Sequence, residues 1–272
     1  MDAPLSADEF VLFVSRKPGD RLDGKHGLSV AVLPKDGRNS KAYINIRPRL
    51  PGEPARWNIS FHGDDSRPVK VEPRHDHFAR IVVAGASGSG KSTWIGDYVQ
   101  RYTAVDPQPT YILSKVEEDP PLDAIEDSHR VNPMDLHESA MEEGPMGSAE
   151  LANSVFISDD IETLQPPPVK QTAAALRDDI LETGRHHDVT QLHALHTLIG
   201  SGGRNRLLLG ESTAVVLFPR SSGMHSGTHF MKAYMGMSPK AARAILTLPS
   251  RWIYVGRLYP MYVVWEHGVR LI

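Results

Sequence analysis

Apolar and polar positions follow one pattern up to about residue 77. Apolar-rich runs of five or six residues alternate with turn-forming segments such as Pro34-Lys35-Asp36-Gly37. This spacing is typical of short strands joined by turns. The strands are predicted at Phe10–Val14, Leu28–Leu33, Ala42–Ile46 and Trp57–Phe61. Residues 1–77 are therefore predicted to form a small β-rich accessory unit.

From residue 78 onward, apolar runs alternate with helical stretches. The first run, Ala79–Ala84, precedes a helix predicted from Lys91 to about Tyr102. Continuous apolar runs are typical of parallel strands that are covered on both faces. Further strands are predicted at Thr110–Leu113, Ser154–Ile157, Val189–Leu195 and Thr213–Phe218. The pattern predicts an α/β domain over residues 78–272, with a mostly parallel central sheet flanked by helices.

Two segments depart from this alternation. Residues 119–147 are acidic with scattered Pro and Gly, which predicts irregular surface structure with at most a short strand near Val131. At the C-terminal end, Arg251–Tyr259 and Met261–Ile272 are predicted to be two strands joined at Pro260. We therefore expect the domain to close with a β-hairpin.

Composition excludes several classes of protein. With 40% hydrophobic and 23% charged residues among 272, the chain is not mostly disordered. No apolar run approaches the ~20 residues of a membrane-spanning helix, and the first residues lack the features of a secretory signal. Because the chain has no cysteine, disulfides and thiolate metal sites are excluded. We expect a soluble, intracellular protein.

The net charge of −3 conceals an asymmetry. Residues 103–162 contain two basic and 15 acidic residues, whereas residues 199–272 contain nine basic and two acidic ones. These segments can form solvated faces that attract one another or a neighbouring subunit. Alternatively, the basic end faces an anion such as nucleic acid.

The strand that ends at Ala84 leads into a glycine-rich loop. It reads Gly85-Ala86-Ser87-Gly88-Ser89-Gly90-Lys91-Ser92-Thr93 and matches the pattern G-x-x-x-x-G-K-[ST]. In this pattern backbone N–H groups surround the phosphates, Lys91 reaches the β and γ oxygens, and Ser92 ligates magnesium. ATP and Mg²⁺ are the predicted cofactors. The alternative is a glycine-rich turn with an incidental lysine.

A second acidic motif follows the apolar strand at Ser154–Ile157. Asp159 is predicted to hold the magnesium ion, and Asp160 to orient or deprotonate the attacking water. Glu162 is the alternative base. The competing interpretation is that these acids only cap the structure after a strand. Neither an N-K-x-D motif nor an L-S-G-G-Q signature upstream of Asp159 occurs, which disfavours GTPases and transporter ATPases.

Four further elements are Ile112-Leu113-Ser114, Asp159-Asp160, Gly184-Arg185-His186 and Tyr259-Pro260-Met261-Tyr262. Together they resemble the FtsK/HerA superfamily of P-loop ATPases, and within it the genome-packaging ATPases of large double-stranded DNA viruses. The resemblance covers residues 78–272. It implies a RecA/FtsK-like fold and a homo-oligomeric ring, a pentamer or hexamer, that drives double-stranded DNA into a capsid.

The resemblance also implies site residues and partners. Lys91, Ser92, Asp159 and Asp160 carry over, and the arginine supplied to a neighbour would be Arg185, Arg204 or Arg206. The implied partners are DNA, further copies of the chain and a capsid vertex or portal protein. The implied location is the host cytoplasm or virus factory, or the virion.

The family usually places a polar sensor, commonly glutamine, after the next strand. Here Leu195-His196-Thr197 stands in its place, so His196 or Thr197 is the candidate sensor of the γ-phosphate. His193 is interpreted as a partly buried, hydrogen-bonded residue.

Excess positive charge near the C-terminal end is consistent with DNA binding. The residues are Lys232, Lys240, Arg243, Arg251 and Arg257. Two other functions stay open: a P-loop kinase that phosphorylates a small molecule, and a nucleotide-gated scaffold that does not hydrolyse ATP.

Overall fold

The computed structural model describes residues 9–19, 27–33, 41–61, 68–75, 78–199, 205–222 and 224–272. The chain forms two compact units, one of residues 1–74 and 216–272 and the other of residues 75–215. The domain boundary between residues 77 and 78 stays a prediction. Among the described residues, no helix has the length and apolar character needed to cross a membrane.

The N-terminal part of the first unit contains the four predicted strands and a fifth short strand that was not predicted. The predicted ones are β1 (Phe10–Ser15), β2 (Leu28–Leu33), β3 (Ala42–Pro48) and β4 (Asn58–Ser60), and the fifth is β5 (Lys70–Val71). Four of them form an antiparallel sheet in the order β1-β3-β2-β5. The middle residues of β1, β2 and β3 are buried, which explains their apolar composition.

The second unit alternates strands and helices. Its elements are β6 (Arg80–Ala84), α1 (Lys91–Thr103), β7 (Thr110–Ser114), α2 (Pro120–Asp123), β8 (Ser128–Val131), α3 (Pro133–Glu142), β9 (Ser154–Asp159), α4 (Pro167–Thr183), β10 (Val189–Leu195) and α5 (Arg206–Glu211). Five strands pair in parallel in the order β6-β10-β9-β7-β8. The predicted mostly parallel α/β sheet is confirmed.

Residues 119–147 are more regular than predicted. The short strand near Val131 is present as β8, but α2 and α3 also form in this segment. The side chain of Asn132 caps α3 by accepting a hydrogen bond from the Met134 N–H at 2.8 Å. Leu136 packs into a core with residues of β9 and α4. One cap and one buried leucine therefore stabilise a helix that its acidic composition did not predict.

The remaining elements are β11 (Ala214–Leu217), α6 (Pro219–Ser222), α7 (Met224–Met235), α8 (Pro239–Leu246), β12 (Ile253–Gly256), β13 (Tyr262–Trp265) and β14 (Gly268–Leu271). The predicted C-terminal hairpin is wrong in its strand count, because a turn at residues 266–267 divides the last segment. β12, β13 and β14 are antiparallel neighbours, and β14 also pairs with β4.

Helix α1 approaches α2 closely at Gly96. A Cβ atom at Gly96 would lie 2.5 Å from the backbone oxygen of Pro121. We expect Gly96→Ala to lower the free energy of unfolding by about 1–3 kcal/mol, although alanine favours helices. In the matched control Gly210→Ala, in α5, no described atom lies within 4 Å of the new Cβ, so stability should be unchanged or rise by up to about 1 kcal/mol. Urea unfolding measures both, and equal stability of the two variants would contradict the prediction.

Candidate nucleotide-binding site

The pairing register brings three strand ends together. Leu195 of β10 lies opposite Ala84 of β6, and Ala194 lies opposite Asp159 of β9. On the other side of β9, Ser114 of β7 lies opposite Asp159. Because the strands are parallel, the glycine-rich loop, the acid pair and the residues after β10 share one edge of the sheet. Ligands of open α/β sheets bind at this kind of edge.

The loop from Gly85 to Gly90 has the conformation that its glycines allow. Gly88 and Gly90 have φ of 74° and 101°, in the left-handed region where a side chain would be strained. The Ser89 N–H donates to the Ala86 carbonyl at 3.2 Å, which tightens the turn. Helix α1 then begins at Lys91. The N–H groups of its first turn and the helix dipole favour an anion at this end.

Lys91 is buried despite its charge. Its Nζ donates to the Gly85 carbonyl at 3.0 Å, so the ammonium lies on the inner side of the loop. Two residues before Lys91, the Ser89 Oγ is buried and has no hydrogen-bond partner among the described residues. Buried polar atoms are nearly always paired, so this hydroxyl and the ammonium fit a phosphate ligand.

Of the adjacent acids Asp159 and Asp160, Asp159 is the buried one. Its Oδ2 accepts a hydrogen bond from the Ser114 Oγ at 3.3 Å. Burial, and secondarily the charge of Asp160, raise the pKa of Asp159 to about 6, and the ammonium of Lys91 partly opposes this rise. A divalent cation would favour the charged carboxylate, and oxygen atoms of Asp and Ser are the ligands that Mg²⁺ prefers. With Ser92 in the first turn of α1, the residues fit a magnesium ion.

Asp160 occupies the turn after β9. Its φ of 49° is unusual for a residue other than glycine. The Oδ2 atom lies 2.9 Å from the Nε2 of His196, whereas Oδ1 is buried without a hydrogen-bond partner among the described residues. His196 directly follows β10, and 44% of its side chain is exposed. Asp160 thus presents one occupied and one unsatisfied oxygen at the sheet edge.

Glu162 is engaged in a different interaction. Its Oε1 accepts from a guanidinium nitrogen of Arg177 at 2.7 Å, and Arg177 is buried in α4. Lys170 donates to the backbone carbonyl of Glu162. The ion pair with Arg177 joins residues that are 15 positions apart, for which the sequence carries no local pattern. The Glu162 carboxylate therefore stabilises the position of α4.

The arginine candidates lie at different places. Arg185 is exposed in the short 3₁₀ segment Gly184–His186, which precedes β10. Arg206 is exposed at the start of α5, where the Asn205 amide donates to the carbonyls of Thr197 and Leu198 at 2.9 and 3.2 Å. Arg204 lies outside the described residues. Arg185 is thus at the edge of the sheet opposite to the loop, and Arg206 follows a residue bonded to the segment after β10.

Replacing the Asp159 carboxylate should stabilise the protein without nucleotide or Mg²⁺. Folding raises the pKa of Asp159 above 3.8, so its ionisation opposes folding, and stability falls as pH rises from about 4 through 6. Since one pKa unit corresponds to about 1.4 kcal/mol, Asp159→Asn should be more stable by roughly 2–3 kcal/mol at pH 7.5 and equally stable at pH 4. Urea unfolding at both pH values checks this. The exposed control Asp135→Asn should change stability by no more than about 0.5 kcal/mol, and a destabilised Asp159→Asn at pH 7.5 would contradict the prediction.

No protein-family model matches the chain. A curated relative, the uncharacterized protein V3 of Sputnik virophage, is 28% identical over 205 residues, which cover 71% of this chain and 76% of V3.

Two solved structures illustrate the fold similarity. The genome packaging NTPase B204 from Sulfolobus turreted icosahedral virus 2, in complex with ATPγS, has a TM-score of 0.42 and 14% identity over 65% of this chain and 90% of B204. The monomer form of TcpA, the pCW3 conjugation coupling protein, with ATPγS, has a TM-score of 0.48 and 9% identity over 87% of this chain and 76% of TcpA. A genome packaging NTPase is thus among the proteins to which this chain is similar.

Proposed function

We propose that this chain is an ATPase that moves double-stranded DNA, of the kind that packages viral genomes. The convergence of Lys91, Asp159 and Asp160 at one edge of a parallel sheet supports the proposal most directly. A lysine at the end of a glycine-rich loop, with two acids at the same edge of the sheet, supplies the groups that phosphoryl transfer to water requires.

The loop and Lys91 bind the triphosphate in this proposal. Backbone N–H groups from Gly85 to Gly90 surround the phosphates, and Thr93 and Ser92 continue the first turn of α1. Lys91 exchanges its bond to the Gly85 carbonyl for phosphate oxygens. A magnesium ion held by Ser92 and Asp159 would neutralise charge on the phosphate oxygens.

Asp160 is the residue that we assign to the attacking water. Its unsatisfied Oδ1 can accept a proton or a hydrogen bond from that water, whereas the Oδ2 contact with His196 fixes the carboxylate. Glu162 is less suited, because Arg177 occupies its carboxylate. His196 contacts Asp160 and is itself partly exposed to solvent. We propose that it senses the γ-phosphate through its contact with Asp160.

Arg185 is the arginine that we propose acts on the neighbouring subunit. Strand β10 has seven residues, so Arg185 lies roughly 20 Å along the strand from the loop of its own subunit. It can therefore reach a phosphate only in another copy, which supports a homo-oligomeric ring. Arg206 is the second candidate, because Asn205 bonds to the segment that follows β10.

DNA binding is proposed for the unit that contains α7 and α8. Lys232, Lys240 and Arg243 are exposed on these two helices, and positive charge without base contacts suits a motor that must move along any sequence. A capsid vertex or portal protein would be the further partner in the host cytoplasm, virus factory or virion.

Replacing Asp160 should remove hydrolysis and leave nucleotide binding intact. We expect duplex DNA to stimulate the steady-state ATPase of the wild type, and Asp160→Asn to lower kcat by about 10²–10⁴-fold, because a general base contributes a factor of that size. The Kd for ATP should change less than threefold. Asp135→Asn, an exposed acid on α3, is the matched control and should behave as the wild type.

A steady-state ATPase rate that duplex DNA does not change would contradict the proposed motor function. Phosphate transfer to a small molecule would favour the kinase, and ATP binding without turnover would favour the scaffold. Lys91→Ala should abolish nucleotide-dependent activity of every kind.

Mixing two inactive variants should restore activity if Arg185 acts on a neighbour. Lys91→Ala subunits keep Arg185, and Arg185→Ala subunits keep an intact site, so a one-to-one mixture contains about a quarter of competent interfaces. Each variant alone should be inactive, and the mixture should regain ATPase activity that rises with protein concentration. Arg206→Ala is the comparison: restoration with it, and none with Arg185→Ala, would assign the role to Arg206.

A further inference from the structure

A continuous hydrogen-bonded chain of buried polar side chains runs from β9 along β10, and the proposed chemistry does not use it. The Ser158 Oγ and the His193 Nδ1 are 2.8 Å apart, and the His193 Nε2 is 3.3 Å from the Gln191 Oε1. The Gln191 Nε2 donates to the Ile180 carbonyl at 2.5 Å. Ser158 is 2% exposed, and His193 and Gln191 are 0% exposed. Three hydrogen-bonded polar side chains are thus removed from water inside the sheet.

The hydrogen bonds have only one consistent direction. Gln191 donates through its amide nitrogen to Ile180, so its Oε1 accepts, and His193 must donate through Nε2. The Nδ1 atom of neutral His193 then accepts from the Ser158 hydroxyl. Burial, with a smaller contribution from the charge of Arg177, lowers the pKa of His193 to about 3. His193 is therefore neutral and every member of the chain is satisfied.

This hydrogen-bonded chain of side chains connects the nucleotide-binding site to the opposite edge of the sheet. Ser158 directly precedes Asp159, whereas the Ile180 carbonyl lies in the last turn of α4 and also accepts from the Gly184 N–H. A Cβ atom on Gly184 would lie 2.8 Å from the Gln191 Nε2. The amide of Gln191 therefore packs directly against the turn that carries Arg185.

Stability alone does not require such a chain. Well-packed apolar residues of similar size are often as stable as buried polar groups, whereas a hydrogen-bonded network specifies one geometry. The geometry specified here is that of Gly184–His186 relative to the strand that ends in Asp159.

We propose that Ser158, His193 and Gln191 are positioning residues, which hold the Gly184–His186 turn in place so that Arg185 reaches the neighbouring site. The inference rests on the proposed role of Arg185 in trans. It predicts that a substitution which breaks these hydrogen bonds impairs a subunit as the donor of Arg185. The nucleotide site of the same subunit should stay competent.

The test uses Gln191→Met, which keeps the length of the side chain and removes its hydrogen bonds. We expect the Kd for ATP to stay within twofold of the wild type and kcat to fall about tenfold to a hundredfold, because displacement of a catalytic group by ~1 Å costs up to about that much. Adding Lys91→Ala subunits should restore activity to the level that they give Arg185→Ala subunits. Adding Arg185→Ala subunits should restore none.

His193→Phe is the second variant, which breaks the chain one link nearer to Asp159 and should show the same pattern. Thr190→Val is the matched control. Thr190 is also fully buried in β10 and donates to the Tyr102 hydroxyl at 3.1 Å, but it lies outside the chain. Its activity should stay within twofold of the wild type.

Each result decides between the possibilities. The positioning role would be overturned if both Gln191→Met and His193→Phe had the wild-type kcat, or if both variants failed to fold. It would also be overturned if Lys91→Ala subunits did not restore the lost activity. If Lys91→Ala and Arg185→Ala do not complement each other, the proposed role of Arg185 fails first and the positioning role falls with it. That outcome is visible in the reference pair alone, so the two failures are distinguishable.

Discussion

The parallel pairing of β10 between β6 and β9 is the constraint on which the site depends. Its register places Ala84 beside Leu195 and Asp159 beside Ala194. A slip of one residue would exchange the two faces of β10, both of which are buried, and separate the glycine-rich loop from the acid. The apolar residues of these strands thus stabilise the sheet and at the same time fix the distances within the site.

Electrostatics at this edge oppose the stability of the fold. Asp159 is buried beside a second acid, and neither Lys91 nor the Ser114 hydroxyl offsets the whole cost of its charge. Such an arrangement gains most when a divalent cation and phosphates are bound, because their charges complement the cluster. The free protein is therefore less stable because the charges of the site are arranged to bind a charged ligand.

The opposite edge of the sheet is specified differently. Gln191 and His193 form hydrogen bonds at buried positions of β10 where apolar side chains would also pack. Gly184 leaves room for the Gln191 amide. Ion pairing of Glu162 with Arg177 adds a buried polar contact between α4 and the segment after β9. The Gln191 amide thus packs against the turn with Arg185, and the ion pair holds the helix that leads into this turn.

The sequence by itself determined the strands of the sheet, the loop Gly85–Gly90 and the acid pair, because apolar runs and contiguous motifs are local signals. It missed α3 and the third C-terminal strand, since one cap at Asn132 and one turn at residues 266–267 outweigh composition there. Only the tertiary structure decided that Arg177 engages Glu162, that His196 contacts Asp160 and that Ser158, His193 and Gln191 form one chain. These contacts join residues of different elements, and strand register and helix packing, which no local pattern encodes, set their distances.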